Sequence, residues 1–154
     1  MTPTGKPQLQ IRPYDPANDQ ARVLDIWLAA SRAGHPFLTE ADLATQRMLV
    51  RDLYLEQAET WVVTMAGRIE GFIGLLDAFI GGLFVDPEAH RSGIGRALVQ
   101  HAAARKGALT VDVYAANEAA LAFYARLGFT LTGRRDIDDE GRPLPLLQLR
   151  RPAR

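Results

Sequence analysis

The stretch of sequence that decides the fold is Leu83-Phe-Val-Asp-Pro-Glu-Ala-His-Arg-Ser-Gly-Ile-Gly-Arg-Ala-Leu98. Its first three residues are apolar and typical of a buried strand, which Asp86-Pro87 ends. A glycine-rich loop follows, and a helix is predicted to begin near Gly95. At such a helix N-terminus, free backbone N–H groups and the positive end of the helix dipole bind anions. The order strand, glycine loop, helix therefore predicts an anion site.

The chemistry of this loop predicts a ligand that carries a diphosphate. Its glycines allow the backbone to approach a phosphate because no Cβ stands in the way. Arg91 and Arg96 flank the loop and can contact phosphate oxygens. A Walker loop would require Gly-x-x-x-x-Gly-Lys-Ser/Thr, which the chain lacks. A Rossmann fingerprint would require glycine or alanine where Leu98 stands, so it remains the weaker alternative.

Outward from the loop, hydrophobic periodicity predicts one mixed α/β domain over residues 8–150, with a disordered leader at 1–7 and a tail at 151–154. Strands are predicted at 8–12, 61–65, 69–76, 79–85, 109–114, 129–133 and 144–150. Helices are predicted from 16 to a stop near 31–36, at 39–54, at 92–104 and at 118–127, and Asn117 caps the last of these.

Composition excludes several classes of protein. The 18 basic and 18 acidic residues give a formal net charge of zero, so no global basic field draws the chain to nucleic acid or to an anionic membrane. The late arginines, at positions 134, 135, 150, 151 and 154, are interpreted as a solvated surface. The absence of cysteine excludes disulfides and thiolate catalysis. With no apolar stretch long enough for a membrane span, a cytoplasmic protein is expected.

Two motifs together resemble the GNAT superfamily of acyl-CoA N-acetyltransferases. The stretch at 83–98 is similar to the family's cofactor-binding motif, and Asn117-Glu-Ala-Ala-Leu-Ala-Phe-Tyr-Ala-Arg-Leu-Gly-Phe129 is similar to its second motif. The segment 134–149 resembles the tail of a small bacterial subgroup. The resemblance implies an α/β fold with a twisted mixed sheet of six to seven strands and about four flanking helices. Its central parallel strands, 79–85 and 109–114, should splay apart with acetyl-CoA between them.

The resemblance also implies which residues bind the cofactor. The backbone of Phe84 and Val85 should pair with the pantetheine arm. Backbone N–H groups from the loop should take the pyrophosphate, and no metal is implied. The family usually has glutamine or arginine where this chain has His90, which leaves a role for that side chain in question. The full expected set is Phe84, Val85, His90, Arg91, Ser92, Gly93, Ile94, Gly95, Arg96, Asn117 and Tyr124.

In this family an amine attacks the thioester directly, and the resemblance implies Tyr124 as the acid that protonates the leaving thiolate. A phenol with a pKa of about 10 stays protonated at neutral pH, although Tyr124 could equally serve core packing. The base is less clear, because the family's usual acid is missing from Phe79-Ile-Gly-Gly-Leu83. His35 has the right pKa range and is the first candidate. Asp77, Glu40 and Asp112 are weaker candidates, and a chain of water molecules that needs no dedicated base is an equal alternative.

The sequence therefore predicts an acetyl-CoA-dependent N-acetyltransferase whose acceptor is a small-molecule amine or a peptide or protein amine. A catalytically degenerate acyl-CoA-binding sensor is the alternative. Residues 27–60 and the late hairpin should set acceptor specificity, and a homodimer would be consistent with the family. Four residues could line an acceptor pocket or simply fill the core: Trp27, Phe37, Leu38 and Tyr54.

Overall fold

Seven strands form one mixed sheet in the computed structural model, which describes residues 8–89 and 92–154. The strand order across the sheet is β1-β2-β3-β4-β5-β7-β6. The strands are β1 (Leu9–Pro13), β2 (Glu59–Met65), β3 (Arg68–Leu76), β4 (Phe79–Val85), β5 (Leu109–Tyr114), β6 (Thr130–Arg135) and β7 (Leu146–Arg151).

Local capping sets where most of the helices begin. The Asp15 side chain accepts a hydrogen bond from the Ala17 amide, and Thr39 and Asp42 form a capping box. The helices are α1 (Pro16–Gly34), α2 (Glu40–Leu49), a π-helical segment (Val50–Tyr54), α3 (Leu55–Gln57), a 3₁₀ turn (Pro87–Ala89), α4 (Ile94–Lys106) and α5 (Glu118–Arg126). The segments from α2 to α3 follow one another without a break, so the helix predicted at 39–54 is one helical stretch with a π-helical interruption.

The two central strands are parallel but pair over a short distance only. β4 and β5 are in register at Phe79↔Thr110 and Ile80↔Val111. Beyond Ile80, β4 continues to Val85 beside β3, whereas β5 continues to Tyr114 beside β7. The strands therefore diverge toward their carboxyl ends and leave a cleft, which confirms the predicted splay.

All the other strand pairs are antiparallel. A Rossmann fold has an open, mostly parallel sheet. The weaker alternative considered for the glycine loop is therefore wrong.

Two hydrophobic layers cover the sheet. One layer contains buried residues of α4 and α5, such as Leu98 and Tyr124, packed on the central strands. The other contains buried residues of α1 and α2, such as Ile26 and Leu43, packed against Phe72. The cleft between β4 and β5 is thus bordered by helices from both layers.

Element boundaries agree with the sequence-based expectations to within a few residues. β4 and β5 have the expected bounds, and β7 extends to Arg151, into the predicted tail. The predicted leader at 1–7 lies outside the described residues. Within the described ranges, no helix combines the length and apolarity needed to cross a bilayer.

Candidate active site

The edge of β4 that faces the cleft carries free backbone groups. The Asp86 amide donates to the Glu70 carbonyl at 2.9 Å, so its backbone points toward β3. Hydrogen-bonded and non-hydrogen-bonded pairs alternate along an antiparallel ladder. The backbone of Phe84 therefore points toward β3, and those of Val85 and Leu83 point into the cleft. An extended ligand can pair with these two residues as a strand would.

Phe84 contributes its ring rather than its backbone to this region. The ring lies 5.4 Å from that of Phe72, measured between centroids. It also covers Gly82, where a Cβ would lie 2.6 Å from the Phe84 ring. Of the two residues expected to pair with pantetheine, Val85 has the suitable backbone direction.

The N-terminus of α4 follows β4 after the loop at 86–93 and has no side-chain cap among the described residues. Gly93 is the N-cap residue, with a φ of 77°, and no acidic residue occupies the first turn. Ile94 is buried in the core, so only its backbone is available to a ligand. Ser92 and Arg96 are exposed. His90 and Arg91, also expected to bind the cofactor, lie outside the described residues.

Gly95 allows a close approach between α4 and α5. A Cβ at this position would lie 3.0 Å from the Phe123 ring and 3.8 Å from Val85. The aromatic ring of α5, the glycine of α4 and the end of β4 therefore meet at one point. Free amides at an uncapped helix N-terminus, together with a free strand edge, fit a ligand with a diphosphate and an extended arm.

An ion pair fixes the start of the loop to α1. Arg22 donates to the Asp86 carboxylate at 2.8 Å and to the Ile69 carbonyl at 2.9 Å. The Glu88 amide donates to the same carboxylate at 3.0 Å. Although burial acts in the opposite direction, these hydrogen bonds lower the pKa of Asp86. The contacts anchor the loop where it leaves β4.

Tyr124 is buried in the hydrophobic layer of α4 and α5. It is 6% exposed, and its ring packs 5.1 Å from those of Phe123 and Phe129. Among the described residues, none hydrogen bonds to its hydroxyl. Burial first, and then the nearby Tyr54, raise the pKa of Tyr124 well above its usual value. The phenol is therefore protonated throughout the physiological range and has a hydrogen to donate.

Tyr54, expected either in an acceptor pocket or in the core, makes a contact with the sheet that the sequence did not predict. The π-helical segment carries it to the sheet, where its hydroxyl donates to the Gly74 carbonyl at 2.9 Å. Its ring fills the space above Gly74 and Gly81, and a Cβ on either glycine would collide with it. A π-helical segment often marks a functional site. The sequence signal that could have revealed this contact was a glycine in each of two neighbouring strands, Gly74 in β3 and Gly81 in β4.

His35 stands among aromatic rings at the end of α1. Its ring centroid lies 5.5 Å from Phe37 and 5.0 Å from Tyr114. Burial lowers the pKa of His35 to about 4. The imidazole is therefore neutral at physiological pH and has at least one nitrogen able to accept a proton.

A buried carboxylate joins the cleft to the loop between β6 and β7. Asp138, whose side chain is fully buried, accepts hydrogen bonds from the Tyr114 hydroxyl at 2.9 Å and from the Arg142 guanidinium at 3.0 Å. Arg142 also contacts Asp42 of the α2 capping box at 3.2 Å. The network therefore fastens the late hairpin to α2.

Asn117 both caps α5 and faces the end of α1. Its side-chain oxygen accepts from the Ala120 amide at 3.2 Å. Its amide nitrogen lies 3.4 Å from where a Cβ of Gly34 would be. The cap therefore leaves the NH₂ group of the side chain directed toward the region of His35.

The weaker candidates for the general base are either paired with an arginine or exposed in a turn. Asp112 pairs with Arg135 at 2.9 Å, and Glu40 pairs with Arg32 at 3.0 Å on an exposed surface. Asp77 is exposed in the turn before β4 with a φ of 52°.

Trp27 and Leu38, expected either in an acceptor pocket or in the core, are core residues. No group of three potential metal ligands occurs among the described residues.

Comparisons with known proteins converge on this region. An acetyltransferase (GNAT) domain model matches residues 56–131. The chain is 40% identical over 129 residues to the peptidyl-lysine N-acetyltransferase YjaB of Salmonella typhimurium, covering 83% of this chain and 88% of that protein. It is 38% identical over 108 residues to the peptidyl-lysine N-acetyltransferase YiaC of Escherichia coli, covering 70% of this chain and 74% of that protein.

The fold comparison agrees with the sequence comparison. The solution structure of apo-form YjaB from Escherichia coli matches with a TM-score of 0.85 at 35% identity, covering 93% of this chain and 97% of that one. Similarity therefore extends over the sheet, the cleft and both helices that border the glycine loop.

Proposed function

The chain belongs to the GNAT family and transfers an acetyl group from acetyl-CoA to an amine, and we propose that the acceptor is the side-chain amine of a lysine in a protein. Two relatives, 40% and 38% identical, are named peptidyl-lysine N-acetyltransferases. A lysine side chain is narrow and extended, and the cleft between β4 and β5 is open at its carboxyl end. Because acetyl-CoA is an intracellular metabolite, we also propose a cytoplasmic location.

We propose that the free edge of β4 and the N-terminus of α4 hold acetyl-CoA. The backbones of Leu83 and Val85 would pair with its pantetheine arm, and the amides from Gly93 to Arg96 would bind its pyrophosphate. Acetyl-CoA supplies an electrophilic thioester carbonyl. The Val85 amide, which points into the cleft, would stabilise the negative charge that develops on the carbonyl oxygen.

Tyr124 is the proposed proton donor to the leaving thiolate. The observation that supports this mechanism is a buried, protonated hydroxyl to which no described residue hydrogen bonds. General acid catalysis requires a proton held in place at the reacting atom. Burial keeps the phenol protonated, and packing against Phe123 and Phe129 holds its ring. Tyr54, which also raises the pKa of Tyr124, is fixed by its bond to Gly74.

We propose that His35 accepts the second proton of the amine, which leaves after the nitrogen has attacked the thioester carbonyl. A lysine ammonium has a pKa of about 10.4, so direct transfer to an imidazole of pKa about 4 is unfavourable by about six powers of ten. At neutral pH the incoming ammonium therefore loses its first proton to the bulk solvent, which costs about three powers of ten. Neutral His35 can then take the second proton, which becomes far more acidic once the nitrogen has attacked the carbonyl.

Thiol release from acetyl-CoA tests the proposed acceptor. The panel is an N-acetylated peptide with one lysine, the same peptide with arginine in place of lysine, a lysine-free peptide with a free α-amine, and a small diamine. We expect thiol release with the lysine peptide and none with its arginine counterpart. Faster release with the α-amine peptide or the diamine would contradict the lysine assignment while leaving the acetyltransferase class intact.

A further inference from the structure

We propose that an arginine-lined cavity beside the glycine loop binds the 3′-phosphate of CoA and makes the enzyme select CoA over its 3′-dephospho form. The cavity has a volume of about 120 Å³ and lies between α4, the end of α5 and the residues after β7. Its lining residues are Arg96, Val99, Gln100, Arg126, Leu127, Arg151 and Arg154. This assignment rests on the pyrophosphate being held at the N-terminus of α4.

The charge of the cavity is unbalanced. Four of its seven lining residues are arginines, and none is acidic. Within the described residues, Arg96, Arg126 and Arg154 form no ion pair, whereas most other arginines of the protein do. Arg151 donates only to the Leu127 carbonyl, at 2.9 Å. Four guanidinium groups converge on a cavity that has no acidic lining side chain among the described residues, which predicts an anionic ligand.

The cavity lies within reach of the proposed pyrophosphate site. Arg96 belongs to the first turn of α4, one residue after Gly95. Gln100 follows about 6 Å beyond Arg96 along the helix axis, at 1.5 Å per residue. On α5, Phe123 contacts the position of Gly95, and Arg126 follows three residues later. In CoA a single ribose joins the 3′-phosphate to the pyrophosphate, so the distance between these two anionic groups is comparable with the distance between the N-terminus of α4 and the cavity.

A phosphate monoester matches the donors that the cavity offers. Guanidinium groups present several N–H donors in a plane, which suits the oxygens of a terminal phosphate. The volume exceeds that of one phosphate, which leaves room for part of the ribose. Under this proposal Arg151 and Arg154 bind the ligand as well as forming part of the late arginine surface, because the fold brings them to α4 and α5.

The test measures dissociation constants for CoA and 3′-dephospho-CoA by calorimetry, with the wild-type protein and two matched variants. Arg126→Gln removes one cavity charge at an exposed side chain that makes no described bond, so the fold should persist. Arg150→Gln is the control, since it removes the same charge from the neighbouring face of β7 and does not line the cavity. Circular dichroism checks that both variants fold, and Arg154→Gln serves as a second cavity variant.

We expect the wild-type protein to bind CoA about tenfold or more tightly than 3′-dephospho-CoA, the effect of losing charge-assisted hydrogen bonds. Arg126→Gln should weaken CoA binding about tenfold and leave 3′-dephospho-CoA binding unchanged, whereas Arg150→Gln should change neither. Equal binding of the two ligands by the wild-type protein would overturn the proposal but not the pyrophosphate site. Equal weakening of both ligands in Arg126→Gln would overturn it as well. Failure of both ligands to bind would contradict the proposed cofactor site itself.

Discussion

Replacing Tyr124 by phenylalanine separates its proposed catalytic role from core packing. The hydroxyl has no described hydrogen-bond partner, and the ring contacts at 5.1 Å to Phe123 and Phe129 survive the change. Removing an unbonded hydroxyl from a buried site is close to neutral for stability. Losing a general acid instead lowers turnover by about 10²–10⁴-fold. That factor corresponds to about 3–5 kcal/mol of activation free energy.

The assay follows thiol release with the lysine peptide at saturating acetyl-CoA, together with the free energy of unfolding in urea. Tyr14→Phe is a matched control, since Tyr14 has a buried hydroxyl without a partner in the layer of α1 and α2. Both variants should unfold within about 0.5 kcal/mol of the wild-type protein. Only Tyr124→Phe should lose turnover, with its affinity for CoA nearly unchanged.

Two results would refute this reasoning. Unchanged turnover in Tyr124→Phe would mean that the leaving thiolate takes its proton from elsewhere and that Tyr124 is a packing residue. Equal losses of turnover and stability would mean that the hydroxyl supports the fold through a contact that the geometry does not reveal.

The remaining predictions concern the loop, the glycines and the late hairpin. Gly95→Val should raise the dissociation constant of CoA more than about tenfold, because the valine side chain would collide with Phe123 and shift the start of α4. Calorimetry measures this constant, and a normal affinity would contradict the proposed pyrophosphate site. Gly81→Ala should lower the free energy of unfolding in urea by about 1–3 kcal/mol, because the new methyl group collides with Tyr54. An unchanged midpoint of the urea unfolding curve would show that Tyr54 can move at little cost. Asp138→Asn should cost about 3–5 kcal/mol at pH 7, the range for breaking a buried charge pair. Hydrogen bonds outweigh burial and lower the pKa of Asp138, so its contribution is complete above the unfolded-state pKa of about 4 and is lost as the pH falls below it. The difference between wild type and this variant in unfolding free energy should therefore shrink below about pH 4, and a constant difference would argue against the ionised carboxylate.

Much of the framework was predictable because its signals are local. β4 and β5 have the expected bounds, since each is a short apolar run between turn residues. Asn117 was expected to cap α5, and its side chain accepts from the Ala120 amide. The π-helical segment was not predicted, because its sequence shares the periodicity of the helices on either side. The contacts of this segment could not be predicted either, because Tyr54 meets the glycines of β3 and β4 only in the folded structure.

The sequence by itself determined that this protein has a glycine loop at a helix N-terminus, because strand endings, caps and glycine spacing depend on neighbours along the chain. Its two motifs also resemble those of the acetyltransferases. The tertiary structure alone decided which groups share the cleft. The divergence of β4 from β5 frees the Val85 amide, burial lowers the pKa of His35 to about 4, and the end of β7 brings Arg151 to the side of α4. Each of these properties depends on residues far apart in sequence, and on burial and charge that exist only once the layers have packed.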